Sequence, residues 1–346
     1  MTHTRIEFKE NVPLAEHTTF KIGGPARFFC RPRSEDELVE AVRFAEDRKL
    51  RLFVLGGGSN VLISDEGFPG LVVKIELLGV EYKEGGDSTE VSAAAGEMWD
   101  GLVAKTVERG LYGLENLSAI PGTVGAAPVQ NIGAYGSEAA DSIVSVRALD
   151  RKAMKYVVLS NADCRFGYRD SIFKKDKDRY VISRVIFRLS NDGRVNIGYK
   201  DLAERFKQTE TGALPPTLAE VRDAVIDIRW NKLPDWKLWG TAGSFFKNPI
   251  VDKDKWDELK AAYPDLPGFP EPDGRVKVSL GWILDKLCGA KSLCVGGARV
   301  YEKQALVVVA KPGATAAEVV DLSRELMKRV KGKTGIEVSA EVEWVN

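Results

Sequence analysis

The chain is poor in histidine and cysteine. Its 346 residues include only two histidines and four cysteines. A Ser-His-Asp triad, or a zinc site built on Cys and His, would have to use His3 or His17. The cysteines are scattered, without a Cys-x-x-Cys pair, which favours free thiols packed as small core residues in a reducing compartment. We therefore expect no metal site, and proton transfer has to rely mainly on Ser, Tyr, Glu, Asp or Lys.

The chain also lacks net charge and long apolar runs. It has 50 Lys and Arg residues against 50 Asp and Glu residues, so its formal charge is zero. This balance removes the main argument for a nucleic-acid or membrane-surface binder. No apolar run approaches the roughly 18 residues that span a membrane, and residues 1–7 carry no apolar signal core. We expect a cytoplasmic protein without nucleic-acid or membrane partners.

The secondary structure predicted from the sequence is a mixture of helices and strands. Hydrophobic residues make up 44% of the chain and charged residues 29%, which is ordinary for a globular protein of two or three domains. Hydroxyl-x-x-Glu capping boxes and apolar periodicity predict helices over residues 34–50, 217–230 and 315–330, and a further helix is predicted over 97–109. Runs rich in β-branched residues predict strands over 52–55, 71–75, 90–94, 143–149, 180–189, 305–309 and 336–344. The order is α+β rather than a strict βαβ alternation.

Two segments are predicted to lie outside regular structure. Residues 198–216 are polar and end in Pro215-Pro216, which is typical of a connector at a domain boundary. Residues 263–274 contain four prolines, which leave few backbone donors for a sheet. We expect the second segment to be an ordered surface loop or flap.

A glycine-rich loop over residues 55–63 is the strongest local signal. A predicted strand enters Gly56, Gly57 and Gly58, followed by Ser59 and Asn60. Successive amides in such a turn form a nest that suits a pyrophosphate. Residues 61–64 read as another strand, whereas the dinucleotide fingerprint and the P-loop require a helix there. The loop therefore fits a dinucleotide site in a different architecture, or a plain glycine turn.

A second tract of small residues covers 118–136. Glycines and alanines leave little side-chain bulk, so a flat ligand could lie against the backbone. Gln130 and Asn131 offer donors and acceptors for the rim of a heterocycle. Two such loops in one chain favour an extended ligand, although a tight packing crossover explains the tract as well.

Two further segments combine polar groups with aromatic side chains. Residues 164–173 hold Arg165, Arg169 and Asp170 among aromatics, and an arginine there could stabilise developing negative charge. Ser244 lies between glycine and two phenylalanines within residues 241–249. Without a nucleophile elbow or a spare histidine it is unlike a catalytic nucleophile. Taken alone, a surface ion pair and a turn serine are the simpler interpretations.

Together these segments resemble one known family. Residues 18–26, 56–60, 113–117, 120–125, 130–136, 165–171 and 242–249 are similar, in order and spacing, to the UDP-N-acetylenolpyruvoylglucosamine reductase (MurB) family. The length of the chain and the segment around Tyr199 agree with its longer, type I members. The resemblance covers nearly the whole chain.

The resemblance implies an α+β fold in two parts. An FAD-binding domain of the vanillyl-alcohol-oxidase (PCMH) type would cover residues 1–215, in two lobes of about 1–75 and 76–215. A smaller α+β substrate-binding domain would cover 216–335. Residues 336–346 would form a terminal strand that returns to the FAD domain. We expect the chain to be a monomer.

The implied reaction uses FAD and NADPH. NADPH reduces FAD, and the reduced flavin delivers hydride to UDP-N-acetylglucosamine enolpyruvate, giving UDP-N-acetylmuramate for peptidoglycan synthesis. No His or Cys lies in residues 51–136, which favours non-covalent FAD. The cofactor-binding residues carried over are Gly56, Gly57, Gly58, Ser59, Asn60, Pro121, Gly122, Thr123, Gly125, Ala126 and Ile132.

Three catalytic residues match the family. Ser244 would protonate the enol intermediate, and Arg169 would hold the substrate carboxylate and stabilise the enolate. Glu341 would donate a hydrogen bond to the enol from its protonated carboxyl group. Periodicity alone places Glu341 as an outward carboxylate on an alternating strand, with Val338, Ala340 and Val342 inward.

The resemblance also implies a set of substrate-binding residues. They are Tyr135, Tyr199, Lys232, Asn248, Lys277 and Gln304. The tyrosine and lysine side chains suit a diphosphate. The chain departs from the family at Phe269, where a tyrosine is expected, and the missing hydroxyl would remove one polar contact.

Two other functions remain open from the sequence. One is a flavin oxidase of the same fold acting on an alcohol or hydroxy acid, with covalent attachment at His17 conceivable. The other is a non-catalytic binding module for a UDP-sugar or a flavin. The presence of Arg169, Ser244 and Glu341 together argues against the second.

Overall fold

The computed structural model describes residues 6–207, 215–235 and 237–346, which group into two compact units. Unit 1 is drawn from Met1–Val12, Ala26–Gly57 and Pro69–Asn231. Unit 2 is drawn from Pro13–Pro25, Gly58–Phe68 and Lys232–Asn346. The domain bounds that we predict at 215/216 and 335/336 stay predictions.

The helices and strands follow one another in a mixed order. The strands are β1 Lys9–Pro13, β2 Pro25–Cys30, β3 Leu52–Leu55, β4 Val61–Ile63, β5 Phe68–Lys74, β6 Val80–Gly85, β7 Ser88–Ala94, β8 Gly133–Ala134, β9 Ser137–Glu138, β10 Ile143–Asp150, β11 Lys155–Ser160, β12 Tyr180–Ser190, β13 Gly240–Ser244, β14 Ile250–Val251, β15 Gly268–Pro270, β16 Val276–Val278, β17 Cys294–Val295, β18 Ala298–Tyr301, β19 Gln304–Ala310 and β20 Glu343–Val345. The helices are α1 Glu35–Asp47, α2 Trp99–Glu108, α3 Ile172–Lys175, α4 Lys200–Lys207, α5 Leu218–Lys232, α6 Lys253–Ala262, α7 Leu280–Trp282 and α8 Ala316–Thr334.

Unit 1 contains two larger sheets. One has the order β1-β2-β5-β3, with β3 and β5 parallel. The other has the order β11-β10-β12-β7-β6 and is antiparallel, with Val146 opposite Val185 and Phe187 opposite Val91. A shared core of buried residues, including Leu38, Leu71 and Trp99, lies between α1, α2 and these strands. The predicted strands of this half are confirmed.

Unit 2 is built around a four-stranded sheet of order β13-β19-β18-β17. Helix α8 buries Val319, Leu322 and Leu326, which belong to the same apolar cluster as Val300 and Val308 of the sheet. Strand β20 at the end of the chain pairs in parallel with β4. The loop that follows Gly58 therefore leads into a strand rather than a helix, as predicted.

Two of the three helices predicted from capping boxes begin at complete boxes. Thr315 and Glu318 satisfy each other's backbone amides at the start of α8, and Thr217 and Glu220 do so at α5. At α1, Ser34 Oγ accepts from the amide of Glu37, but the Glu37 carboxylate accepts from Arg33 N–H instead of Ser34 N–H. The cap is present in a shifted form.

Three sequence predictions of local structure need correction. The connector 198–216 contains helix α4, because Leu202 is buried in a small cluster with α5. The proline-rich segment 263–274 contains strand β15, whose one proline, Pro270, is tolerated because the strand lies at the edge of a three-stranded sheet. The strand predicted over 336–344 is reduced to β20.

The cysteines are free, but only three of them pack as small core residues. Cys30, Cys164 and Cys288 are buried, whereas Cys294 is exposed on the short strand β17. Burial raises the pKa of both the Cys30 and the Cys164 thiols to about 12. Within the described residues there is no cluster of three or more His, Cys, Asp or Glu side chains suited to a metal ion. No helix in the described part of the chain is long and apolar enough to cross a membrane.

Candidate active site

The two small-residue loops meet in unit 1. A Cβ atom added at Gly57 would lie 2.7 Å from Gly122 Cα. One added at Gly56 would lie 2.7 Å from Thr123 Oγ1 and 3.4 Å from the Cβ of Ala126. The predicted cofactor residues on either side therefore touch through backbone and small groups. The absence of side chains there lets the two loops pack backbone against backbone, so a ligand bound at these loops would meet main-chain atoms.

The 121–126 tract is held by backbone hydrogen bonds to neighbouring elements. The Gly122 carbonyl accepts from Trp99 N–H at 3.1 Å, at the start of α2. The amide of Gly125 donates to the carbonyl of Ala95 at 2.9 Å. Gly122 has φ +128°, a conformation that side chains rarely adopt. The loop is thus a fixed structure rather than a loose glycine linker.

Charged residues fix the backbone just before this tract. Asp100 accepts a hydrogen bond from Ala119 N–H at 2.6 Å and forms a bidentate ion pair with Arg222 of α5. Burial alone would raise the pKa of Asp100, but the hydrogen bonds from Arg222 and Ala119 outweigh it and lower the pKa. Arg229 donates to the Ala119 carbonyl at 3.2 Å. Helix α5 is therefore fastened to the residue that precedes the cofactor loop.

Asn131 has a structural role, not the one suggested by the sequence. Its carboxamide donates to Glu138 Oε2 at 2.6 Å and to the Gly167 carbonyl at 3.3 Å, and it accepts from Ala140 N–H at 2.9 Å. The side chain is buried, and its carboxamide bonds to these protein groups rather than to the rim of a heterocycle. Ile132 continues the same turn, donating its amide to the Ala127 carbonyl.

Arg169 lies against the end of this tract. Its Nη2 donates to the Gly133 carbonyl at 2.7 Å, and Nη1 lies 3.4 Å from the carbonyl oxygen of Asn131. The guanidinium also lies over the Tyr168 ring, 5.5 Å from the centroid. Arg169 has φ +53°, an uncommon conformation for a non-glycine residue and a frequent one at functional sites. The structure thereby joins two segments that the sequence separates by more than thirty residues.

Tyr135 and Tyr199 form an aromatic pair in unit 1. Their rings pack edge to face, with centroids 5.4 Å apart. The Tyr135 hydroxyl is hydrogen bonded to Arg229, and burial raises the pKa of this tyrosine. Tyr199 is 45% exposed and immediately precedes α4. The two predicted substrate tyrosines are thus adjacent.

The second half of the glycine-rich loop is held within unit 2. Gly58 packs against residues 17 and 18, because an added Cβ would lie 2.0 Å from the His17 carbonyl oxygen. Its own carbonyl accepts from Thr19 N–H at 3.0 Å. The Thr19 hydroxyl donates to the Thr241 carbonyl at 2.6 Å. The motif 18–26 is therefore the support of this loop.

Ser244, Glu341 and Asn60 are brought together in unit 2. Ser244 ends β13, and the next residue, Phe245, accepts at its carbonyl from Glu341 N–H at 2.8 Å. Asn60 Nδ2 donates to the Glu341 carbonyl at 3.2 Å. Glu341 is half-buried and lies just before β20, not on an alternating strand. Ala340, expected to point inward, is exposed, because the chain here crosses the end of β13 at a bridge with Phe246.

The other predicted substrate residues of unit 2 are placed as follows. Asn248 Oδ1 accepts from Leu280 N–H at the start of α7, and Gln304 Oε1 accepts from Leu306 N–H. Lys277 on β16 pairs with Glu271 at 2.8 Å, opposite Phe269 in the sheet. Lys232 is exposed at the end of α5. The carboxylate of Glu271 thus offsets the positive charge of Lys277, one of the residues predicted to bind the diphosphate.

Sequence reasoning missed residues that organise these sites. Arg222 and Arg229 lie seven positions apart and therefore on one face of α5, together with the buried Val225. Their spacing on an otherwise apolar face was the available signal. The buried Thr241 gave none, since a threonine in a predicted turn is ordinary.

Two family models match parts of the chain, and together they define the class of protein to which it belongs. Residues 26–155 match the family model of an FAD-binding domain, so the chain is a flavoprotein of the oxidoreductase class. Residues 234–345 match the model of the UDP-N-acetylenolpyruvoylglucosamine reductase C-terminal domain. The predicted α+β fold class, with an FAD-binding domain and a second, C-terminal domain, is confirmed.

Relatives that match nearly the whole length of the chain then define its family. The UDP-N-acetylenolpyruvoylglucosamine reductase of Ralstonia nicotianae is 45% identical, covering 95% of this chain and 96% of the relative. That of Neisseria gonorrhoeae is 46% identical, with 96% of each chain covered. The crystal structure of the Thermus caldophilus reductase superimposes with a TM-score of 0.69 at 25% identity, covering 99% of both chains. The chain belongs to the UDP-N-acetylenolpyruvoylglucosamine reductase family, as its motifs predict.

Proposed function

We propose that the protein reduces UDP-N-acetylglucosamine enolpyruvate to UDP-N-acetylmuramate, with FAD as bound cofactor and NADPH as electron donor. The names of its relatives support the substrate. A role in peptidoglycan synthesis, and so in cell shape and division, is part of the same proposal. One observation carries the proposal. Within unit 2, the end of β13 at Ser244, the residue Glu341 and the loop at Asn60 meet through backbone and side-chain hydrogen bonds.

The two glycine-rich loops would hold FAD. In unit 1, Gly56 and Gly57 approach Gly122 and Thr123 so closely that no side chain fits between them. In unit 2, Gly58 is fixed by Thr19. The backbone amides of these loops suit a pyrophosphate. FAD bound there would supply the hydride chemistry that connects NADPH with the methylene carbon of the enolpyruvyl group.

Ser244 is the proton donor in this proposal. Its hydroxyl gives a proton to the carbon next to the one that receives hydride, so one hydride and one proton together convert the enolpyruvyl ether into a lactyl ether. A serine hydroxyl is a weak acid, and the developing enolate has to be positioned and stabilised for the transfer.

Arg169 would bind the substrate carboxylate and stabilise the enolate. An arginine is suited to this role because its planar fork donates two parallel hydrogen bonds to a carboxylate. The contact to the Gly133 carbonyl orients the guanidinium on the loop that also carries Tyr135. Glu341 would complete the set by donating a hydrogen bond from its protonated carboxyl group to the enol oxygen.

Polar residues from each unit are assigned in this proposal to the nucleotide diphosphate of the substrate. We assign Tyr135, Tyr199 and Lys232 to this part of the substrate, with Asn248 and Gln304 as further polar contacts. Lys277 is included, although its ion pair with Glu271 has to open or adjust for it to bind a phosphate. Cytoplasmic location, a monomeric state and the use of NADPH stay predictions.

Separate half-reactions test the role of Ser244. Ser244→Ala should leave NADPH-driven flavin reduction within about twofold of the unchanged enzyme. It should slow reoxidation by the enolpyruvyl substrate about a hundredfold, in the range of a lost general acid. Stopped-flow flavin absorbance measures both rates. Ser292→Ala, at an exposed turn serine, is the matched control and should change neither rate. A large loss in the first half-reaction would contradict the assignment.

Arg169 is tested by a shorter series. Arg169→Lys keeps the charge but loses the two-pronged geometry, and Arg169→Ala loses both. Reoxidation should fall in both variants, more in the alanine variant, with FAD retained after gel filtration. If the alanine variant lost only FAD and kept its reoxidation rate when reloaded, Arg169 would be a cofactor residue instead.

A further inference from the structure

Strand β13 changes register immediately before Ser244. Thr241 lies opposite Val309 of β19, and Ser244 lies opposite Val307. Three steps along β13 thus match two steps along β19, so β13 carries one extra residue, which defines a bulge. Without it, Gly243 would lie opposite Val307. The bulge moves Ser244 by one position, and a one-residue change of register exchanges the faces of a strand.

The Thr241 hydroxyl holds this bulge. It donates to the Val308 carbonyl at 2.9 Å and accepts from Gly243 N–H at 3.2 Å. Gly243 has φ +73°, the left-handed conformation that a bulge of this kind requires. Thr241 is buried, so water cannot readily replace its hydroxyl. One hydroxyl group therefore ties the extra residue to the neighbouring strand.

Thr241 is also tied to the glycine-rich loop. Its carbonyl accepts from the Thr19 hydroxyl at 2.6 Å and its amide donates to the Thr19 carbonyl at 3.0 Å. Thr19 in turn donates its own amide to the Gly58 carbonyl at 3.0 Å. Thr241 thus connects the support of the predicted cofactor loop with the backbone that carries the predicted proton donor.

We propose that Thr241 is a positioning residue for Ser244: its hydroxyl fixes the bulge that aims the serine at the carbon to be protonated. The inference rests on the proposed function of Ser244. Thr241 itself touches neither cofactor nor substrate in this account. It acts by holding the β13 backbone, and a misplacement of about 1 Å at such a site can cost about a hundredfold in rate.

Two substitutions at this position separate the hydroxyl from the side-chain shape. Thr241→Val keeps the shape and removes the hydroxyl, which leaves Gly243 N–H and the Val308 carbonyl without this partner. Thr241→Ser keeps the hydroxyl and loses a methyl group. The inference predicts that the valine variant reduces flavin with NADPH within about twofold of the unchanged enzyme, but reoxidises with the enolpyruvyl substrate about tenfold to a hundredfold more slowly. The serine variant should reoxidise within about threefold of the unchanged enzyme.

A second readout needs neither substrate nor cofactor. Amide hydrogen exchange of Gly243, followed by NMR in flavin-free protein, should accelerate at least tenfold in Thr241→Val and stay near the unchanged value in Thr241→Ser. If Thr241→Val does not fold, Thr241→Ala removes the same hydroxyl and is measured in its place.

The outcomes distinguish this inference from the proposed function. If the unchanged enzyme is not reoxidised by the enolpyruvyl substrate, the proposed function fails, and the Gly243 exchange still decides whether the hydroxyl holds the bulge. If the unchanged enzyme is reoxidised and Thr241→Val matches it, the inference is wrong. Equal slowing of reoxidation in the valine and serine variants would also overturn it, because any change of the side chain, and not the loss of the hydroxyl in particular, would then slow the reaction.

Discussion

At Gly57, the methyl group of an alanine substitution should push two loops apart. An added Cβ would lie 2.7 Å from Gly122 Cα, which is a backbone atom and cannot rotate away. Overpacking of this kind costs about 1–3 kcal/mol. We therefore expect Gly57→Ala to weaken FAD binding about tenfold or more and to lower the midpoint of thermal unfolding. Titration of the flavin-free protein with FAD, followed by flavin fluorescence, measures the first effect.

Gly332 provides the matched control for this glycine. It lies in α8, and nothing is within 4 Å of an added Cβ. Gly332→Ala should leave FAD affinity unchanged and stabilise the protein by about 0.5–1 kcal/mol, since alanine is the better helix former. If Gly57→Ala bound FAD as tightly as Gly332→Ala, the contact between the loops would not belong to the cofactor site.

Single residues show where sequence reasoning succeeded and where it failed. The absence of side-chain bulk at Gly56, Gly57 and Gly122 was readable, because glycine is the signal itself. Asn131 was misread, because a carboxamide is equally suited to a ligand and to buried backbone partners, and only the fold decides between them. The ion pair of Lys277 with Glu271 was not readable, since it depends on the hairpin between β15 and β16.

The N-terminus of α8 is capped from a distant part of the chain. Asp65, in the loop after β4, accepts from Ala316 N–H at 2.7 Å and from Ala317 N–H at 3.0 Å. A carboxylate there satisfies two amides and complements the helix dipole. Asp65→Ala should lower the free energy of unfolding by about 1 kcal/mol in urea titrations.

Asp321 offers a comparison on the same helix. It is exposed and pairs with Arg324, three residues on, so Asp321→Ala should change stability by less than about 0.5 kcal/mol. Equal losses at Asp65 and Asp321 would mean that the amide contacts to Asp65 contribute nothing beyond surface charge.

Glu35 should make the attachment of α1 sensitive to acid. It pairs with Arg147 of β10 through two contacts of 2.8 Å and accepts from the Ser183 hydroxyl of β12. The hydrogen bond from Arg147, against the opposing effect of burial, lowers the pKa of Glu35 below its usual 4.5. A lowered folded-state pKa contributes stability that is complete above about pH 4.5 and is lost as the pH falls through that lowered value.

The corresponding measurement compares Glu35→Gln with the unchanged protein at several pH values. Glu35→Gln should lower the free energy of unfolding by about 1–2 kcal/mol at pH 7, a modest loss because the Glu35 and Arg147 side chains are both about one-third exposed. This loss should shrink as the pH falls below about 4.5. Glu84→Gln, at an exposed position near the end of β6, is the control without a pH-dependent difference. A constant loss for Glu35→Gln at all pH values would contradict the ion-pair explanation.

At the scale of elements, local rules predicted what depends on local contacts. Helices α5 and α8 begin at their capping boxes, because those hydrogen bonds span only three residues. Strand β20 was predicted too long, since residues 339–341 bond to the end of β13 instead of continuing a strand. Helix α4 was missed because its burial depends on α5.

At the scale of the whole chain, the order of motifs was more informative than any one of them. Each glycine-rich or aromatic segment alone had an ordinary structural explanation, but together they matched one family. The contacts that give those segments a common purpose are long-range: Asn60 reaches Glu341 across 281 positions, and Thr19 reaches Thr241 across 222. Periodicity and capping cannot specify such contacts. The division into units that each combine distant stretches of chain was beyond sequence reasoning for the same reason.

The most direct test of the proposed function is NADPH consumption by the purified, FAD-loaded protein without oxygen, with and without UDP-N-acetylglucosamine enolpyruvate. We predict steady oxidation of NADPH only when the substrate is present, with one UDP-N-acetylmuramate formed for each NADPH consumed. Flavin bleaching that stops after one equivalent and does not respond to the substrate would contradict the account, and a flavoenzyme with another electron acceptor would take its place.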